Sequence, residues 1–263
     1  MNFKIALAQL HIQGGEPDRN LGRAVEMIEQ AAREDCRFIL FPELWSTGYD
    51  LEHAARLALV SPAILAELQR LATAHQVFIG GSLLESTPQG LYNTFSWIDP
   101  SGAPPVSYRK IHLFRLMDED RWLVPGDALQ TVPAPWGQAG LAICYDLRFP
   151  ELFRTYALQG AQSLVLSAEW PVRRIFHWQT LLRGRAIENQ CFVAATNCVG
   201  PVFNEQFGGC SAVITPWGET LVEGSQTEEA LLTTEIDTAQ VEAARSFMPI
   251  FQDRRPDLYS SSI

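Results

Sequence analysis

Short apolar runs alternate with amphipathic stretches along the chain. Residues 4–10 read as a buried strand, and Leu21, Ala24, Val25, Ile28 and Ala32 then recur at helical spacing behind Asn20, the expected cap. Residues 38–41 form a second apolar run, stopped by Pro42. Ser61-Pro62 opens a helix carrying Ile64, Leu65, Leu68, Leu71 and Ala72, because proline suits a first helical turn. Strand-like segments follow at 77–84, 92–98 and 106–110, the last two joined by the turn Asp99-Pro100-Ser101-Gly102.

A second round starts at Gly140. Residues 141–144 predict a strand, with a helix from Pro150 through Tyr156, a strand over 163–167, a helix over 175–189 and a strand over 192–196. Residues 212–214 pair with 219–222 across Pro216-Trp217-Gly218, 231–236 close the sheet, and Thr238 caps a helix through Arg245. With no Pro/Gly/Ser linker, charge block or repeat, residues 1–263 read as one domain of two similar halves. Two mixed sheets covered by helices fit this blend of crossovers and hairpins.

Composition narrows the class. Of 263 residues, 47% are hydrophobic, enough for a packed core, and no run approaches the roughly 20 consecutive apolar residues of a membrane span. The N-terminus runs straight into a strand pattern and not into a leader peptide, so a soluble cytoplasmic protein is expected. A formal charge of −10 with scattered arginines argues against nucleic acid as a partner. Five cysteines without a Cys-x-x-Cys pair suggest neither a disulfide framework nor a zinc site. No metal or organic cofactor is implied, since no Gly-x-Gly-x-x-Gly turn or ligand cluster is present.

Three ionisable residues occupy strand ends: Glu43 after the second strand, Lys110 ending residues 106–109, and Cys144 ending residues 141–143. Such positions converge on ligand crevices in α/β sheets. A thiol, a carboxylate and an ammonium together would supply a nucleophile, a proton carrier and an oxyanion partner. Cys144, between a strand and a helix start and near Lys110, is expected to ionise more readily than a free thiol. Taken singly, each residue also has a bland reading: a buried packing thiol, a solvated strand-end lysine, an ordinary carboxylate. Cys36, Cys191, Cys198 and Cys210 read as packing residues. Among His11, His53, His75, His112 and His177, none shows the third partner that a Cys–His hydrolase or transferase needs. His112 is expected to turn away from Lys110, and His177 to pack beside Trp178.

Phe41-Pro42-Glu43, the run Tyr108 to Phe114, and the run Ile143 to Glu151 resemble, in order, the three signature blocks of the nitrilase superfamily of carbon–nitrogen hydrolases. Arg185 to Gln190, Gly209-Cys210-Ser211 and Pro216-Trp217-Gly218 extend the resemblance over nearly the whole chain. It implies an α+β fold, a four-layer αββα sandwich, with Glu43 as general base, Lys110 as oxyanion-stabilising lysine and Cys144 as nucleophile. The Tyr145 N–H is the implied second oxyanion donor, and Glu119 the further glutamate on the loop after the lysine. Glu169-Trp170-Pro171 followed by His177-Trp178-Gln179 is most similar to the omega-amidase branch, which hydrolyses the side amide of short dicarboxylate monoamides such as 2-oxoglutaramate and 2-oxosuccinamate. The small-molecule amide is thus the expected partner, and a homodimer through helices on one face the expected assembly. Glu169 stands where a small or amide residue is usual; it could repel an anionic substrate or pair with Arg173 or Arg174, one of which could bind the substrate carboxylate. Aliphatic amidase, nitrilase, N-carbamoyl hydrolase and a catalytically inactive interaction module are the competing readings. The aromatic segment 247–251 is expected to dock on its own core or on a neighbour.

Overall fold

Ile5 and Leu7 leave the first strand on one side and Ala6 and Ala8 on the other, and all four are buried, in two different hydrophobic clusters. A period-two strand apolar on both faces must be covered on both faces. The computed structural model describes residues 2–259, and Met1 and residues 260–263 of the single-domain reading lie outside them.

The first half contains β1 (Asn2–Gln9), α1 (Pro17–Arg33), β2 (Phe38–Leu40), α2 (Ala54–Leu57), α3 (Ser61–His75), β3 (Phe78–Thr87), β4 (Gly90–Ile98), β5 (Val106–Arg109) and the short α4 (Glu119–Trp122). The second contains β6 (Thr131–Ala134), β7 (Gly137–Ile143), α5 (Pro150–Leu158), β8 (Ser163–Ala168), α6 (Ile175–Asn189), β9 (Phe192–Asn197), the hairpin β10 (Val199–Val202) and β11 (Glu205–Gly208), then β12 (Ala212–Ile214) and β13 (Thr220–Glu223). β14 (Ala230–Asp237), α7 (Ala239–Phe247) and α8 (Pro256–Tyr259) complete it.

Two six-stranded sheets form, in the orders β14-β1-β2-β3-β4-β5 and β13-β12-β9-β8-β7-β6. Each has three parallel central strands flanked by antiparallel ones. Their inner faces share one cluster, with Leu7, Phe38, Leu40 and Phe95 from the first sheet and Leu141, Ile143 and Val165 from the second. Outside the first sheet, Met27 and Ile28 of α1 and Ile64, Leu68 and Leu71 of α3 pack on Ala6, Ala8 and Ile39. Outside the second lie Tyr156 of α5 and Trp178, Leu182 and Ala186 of α6. The layers are therefore α, β, β, α, the sandwich the resemblance implies. The helical run Leu51–His75 is long and apolar enough to cross a membrane by length and composition, but α3 spends its apolar stripe on the first sheet.

Several elements depart from the sequence reading. α1 begins at Pro17, with Glu16 at the cap. Asn20 is inside the helix, where its side chain accepts from the Gln13 N–H and donates to the Gln13 and Ser46 carbonyls; it ties the loop after β1 instead of capping. β6, β10 and β11 lack the alternation that marks a strand. β14 closes the first sheet against β1, with Asn2 opposite Asp237. The segment 247–251 divides: the Phe251 ring sits under the Arg154 and Arg245 guanidiniums, whereas Phe247 is 75% exposed.

Candidate active site

Glu43, Lys110, Cys144 and Glu169 each follow the end of a strand: β2, β5, β7 and β8 respectively. Cross-sheet hydrogen bonds hold those ends together. Ser167 Oγ donates to the Phe41 carbonyl at 2.7 Å and Thr196 Oγ1 to the Leu40 carbonyl at 3.2 Å. The result is a buried cluster of side chains that lie far apart in the chain.

Lys110 Nζ donates to Glu43 Oε1 at 2.6 Å and to Glu119 Oε2 at 2.8 Å, and all three side chains are fully buried. Tyr49 OH donates to Glu43 Oε1 at 2.7 Å, and Asn93 Nδ2 to the same oxygen at 2.8 Å. Glu43 Oε2 accepts the Glu169 N–H at 3.0 Å, and Glu119 Oε2 the Phe114 N–H at 2.5 Å. Every carboxylate oxygen of Glu43 and Glu119 is thus engaged, which is the condition for keeping such charges in a dry interior. Burial alone would lower the Lys110 pKa, but Glu119 and Glu43 more than reverse it and hold the ammonium charged. Glu119 is raised, by burial first and with Lys110 opposing.

Cys144 sits at φ 43°, in the left-handed region that a side chain avoids. It opens the tight turn Cys144–Arg148, and its thiol meets the cluster at Glu43. The fully buried Asp146 fastens this turn. Its carboxylate accepts the Ile143 N–H at 2.9 Å and the Tyr108 hydroxyl at 2.7 Å, and His112 Nδ1 lies 2.7 Å away. Arg185 donates to the Leu147 carbonyl at 2.8 Å. Behind the strand, a Cβ on Gly140 would meet the Tyr156 ring at 2.6 Å, so only glycine lets α5 approach so closely.

The thiol corrects one expectation. Burial, and then the adjacent Glu43 carboxylate, push the Cys144 pKa well above that of a free thiol, and Lys110 offsets only part of this. Proximity to a turn N-terminus and a lysine does not win because the lysine is already neutralised by two carboxylates. The resting sulfur is S–H, donating to the Glu169 carbonyl at 3.7 Å.

A narrow cleft opens on Cys144, lined also by Phe114, Tyr145, Arg148, Glu169, Trp170 and Arg174. Phe114 and Tyr145 also wall the larger groove outside it. Trp170 is buried, its indole N–H bonded to the Arg174 carbonyl at 2.8 Å and its ring beneath the Arg148 guanidinium. The Arg174 guanidinium lies over Phe114, 5.1 Å from the ring centroid; burial, then Arg173, lower its pKa. Arg173 points elsewhere: its mostly exposed side chain pairs with Glu205 and is absent from the cavity wall. Among the described residues Glu169 pairs with neither arginine, and both its carboxyl oxygens lack a hydrogen-bond partner. Burial, then Glu43, raise its pKa well above the usual value, which disfavours the charged form.

Tyr145 follows the thiol as the next residue of the turn, where a leading N–H has no partner inside the turn. His112 does turn away from Lys110, to Asp146, while His177 is exposed beside Arg148 and does not pack. The other four cysteines are buried and unpaired. Arg148, Tyr49, Asn93 and Asp146 escape a residue-by-residue reading. Only Arg148 and Asp146 carry a signal, their place in the turn after Cys144. Among the described residues no group of three or more His, Cys, Asp or Glu side chains is arranged to hold a metal ion.

The family profile described as Carbon-nitrogen hydrolase matches residues 4–246. The 2-oxoglutaramate amidase of Bacillus subtilis (strain 168) is 40% identical over 98% of this chain and 100% of its own length. The human omega-amidase NIT2 is 34% identical over 98% of this chain and 97% of its own. A solved mutant of the amidase from Nesterenkonia sp. AN1, showing covalent addition of the acetamide moiety of fluoroacetamide at the active site cysteine, superimposes with a TM-score of 0.88 at 27% identity, covering 99% of this chain and 97% of that one.

Proposed function

The chain belongs to the carbon–nitrogen hydrolase family, and we propose that within it the protein is an omega-amidase, hydrolysing the side amide of a short dicarboxylate monoamide such as 2-oxoglutaramate with release of ammonia. The observation that carries this reading is a single cavity with a thiol at its floor and two guanidiniums, Arg148 and Arg174, on its wall. The resemblance to amidases of that specificity over the full chain supports it.

The chemistry follows from the geometry. Glu43 accepts the thiol proton as sulfur attacks the amide carbon, since the thiol is not ionised at rest. The developing oxyanion is held by Lys110 Nζ and the Tyr145 N–H. Glu43 returns its proton to the nitrogen, the C–N bond breaks, and ammonia leaves a thioester on Cys144. Water then loses a proton to Glu43 and attacks the thioester; the C–S bond breaks, sulfur regains the proton and the acid departs. Glu119 keeps Lys110 aimed, from the side opposite Glu43.

The far carboxylate of the substrate meets Arg174, whose partly buried guanidinium has no carboxylate hydrogen-bonded to it among the described residues, and Arg148. Ammonia release from 2-oxoglutaramate, a neutral aliphatic amide and a nitrile tests this specificity; turnover of only the neutral amide or the nitrile would remove it. Arg174→Ala is expected to raise KM for the anionic amide about tenfold, with the neutral amide changed less than about threefold. Equal changes for both would eliminate the carboxylate role.

A homodimer and a reducing cytoplasmic setting belong to the same proposal. Ile187 of α6, Trp217 and Phe247 of α7 form an exposed apolar patch, and all five cysteines are free. Light scattering is expected to give twice the chain mass, falling toward the monomer in Phe247→Asp; a monomeric wild type would refute the dimer.

A further inference from the structure

One buried polar side chain is left unused by this chemistry. Glu169 is 1% exposed, lines the cavity beside Cys144, and neither carboxyl oxygen has a hydrogen-bond partner among the described residues. Native interiors rarely leave such a group empty without a ligand or a function to complete it. The Glu169 main chain is already committed, its N–H to Glu43 and its carbonyl to the Cys144 thiol. The side chain therefore hangs next to the nucleophile, positioned by the same backbone that positions the base. The charged groups around it are Glu43, Lys110 and Glu119. Lys110 is bound by the other two, and among the described residues neither Arg148 nor Arg174, on the wall of the same cavity, hydrogen-bonds to the Glu169 carboxyl. Tyr49, the thiols of Cys144 and Cys198, and Tyr145, Arg148 and Arg174 on the cavity wall are the remaining titratable neighbours.

We propose that Glu169 is a specificity-determining residue, hydrogen-bonding through its side chain to a carbonyl oxygen in the acyl chain of the substrate beside the scissile amide. This deepens the omega-amidase reading and rests on it. Glu169 acts as the neutral acid, because burial and the Glu43 charge leave the carboxylate form without compensation. A neutral carboxyl donates an O–H, which a ketone oxygen accepts; a carboxylate would repel both that oxygen and an anionic substrate. The oxo group of a 2-oxo acid monoamide supplies such an acceptor, and the saturated monoamide does not. Binding the oxo substrate thus gives the orphaned acid its missing partner.

The test compares 2-oxoglutaramate with glutaramate, the same monoamide lacking the oxo group, in the wild type, Glu169→Gln and Glu169→Ala. The alanine variant is expected to lose about 10- to 100-fold in kcat/KM on the oxo substrate and less than about threefold on the saturated one. The glutamine variant, whose N–H replaces the O–H, is expected to stay within about fivefold of wild type on both. Equal losses on the two substrates in Glu169→Ala, or a glutamine variant as impaired as the alanine one, would overturn the proposal. A wild type that cleaves both monoamides equally well would also overturn it while leaving the amidase reading intact. A wild type that cleaves neither would fail that reading itself, and this inference with it. Urea unfolding gives a check free of any substrate. An acid whose folded pKa is raised takes up a proton on folding, so its contribution to stability is present below the unfolded carboxylate pKa and lost as pH rises. The stability of Glu169→Gln relative to wild type is therefore expected to increase from about pH 5 to about pH 8, and a constant difference would contradict the neutral acid.

Discussion

Cys144→Ala is expected to reduce amide turnover by at least about 10⁴-fold while leaving the urea unfolding midpoint close to that of the wild type. The activity falls because sulfur forms and breaks the only covalent bond between protein and acyl group. The fold survives because the thiol's hydrogen bonds go to the Glu169 carbonyl at 3.7 Å and to the Glu43 carboxylate, which Lys110, Asn93 and the Glu169 N–H hold without it. The turn that holds the residue depends on the Asp146 carboxylate, on Arg185 and on main-chain bonds, none of which involve the sulfur. Steady-state ammonia release and urea denaturation of the same preparation decide the matter, and hydrolysis at the wild-type rate would refute the nucleophile. An inactive variant that is also unfolded would leave the loss to structure, contrary to this expectation.

Lys110→Ala is expected to be nearly as damaging to catalysis, about 10²–10³-fold in kcat, and far worse for stability. In the wild type one ammonium serves two buried carboxylates at 2.6 and 2.8 Å. Removing it leaves charge in a dry interior, a change that costs about 3–5 kcal/mol when one partner of a buried pair is deleted. The carboxyls escape most of that cost by taking up protons. Their folded pKa values then exceed the unfolded ones, so stability is retained at acid pH and lost as pH rises through the folded values. The deficit of the variant relative to wild type is expected to widen from about pH 5 to about pH 8 in urea unfolding. Lys110→Ala turning over within about threefold of wild type would remove the lysine from the oxyanion, and a deficit independent of pH would refute the shared-ammonium description.

The sheets and their main helices were legible because burial imposes period. β1, β2, β7 and β8 are apolar on both faces, and α6 covers the residues 175–189 expected of it, ending at Gln190 in a left-handed φ. Local pattern misjudged α1 because Pro17 at the first turn outweighs a polar residue further in, and β10 and β11 were invisible because hairpin pairing, not alternation, makes them strands. Glu43, Lys110 and Cys144 could be suspected from their strand ends, but only ordered signature blocks joined them; no spacing rule shows that residues 67 and 34 positions apart meet in one buried cluster. Glu119 lies in the run Asp118-Glu119-Asp120, whose composition is that of a solvated acidic loop. Its burial follows from the left-handed backbone of Asp118, which turns the next side chain inward while Asp118 and Asp120 stay in water. Electrostatics was the least legible level. Whether Lys110 activates Cys144 depends on how many carboxylates already claim it, and whether Glu169 is charged depends on which arginine fails to reach it.

The most direct measurement is the intact mass of the protein, acid-quenched during turnover of 2-oxoglutaramate, with the modified peptide located by fragmentation. The account predicts a transient gain equal to the acyl group less one hydrogen, on Cys144, abolished in Cys144→Ala. Turnover with no acylated protein at any quench time, or acyl mass on Cys198, Cys210 or another residue, would contradict it.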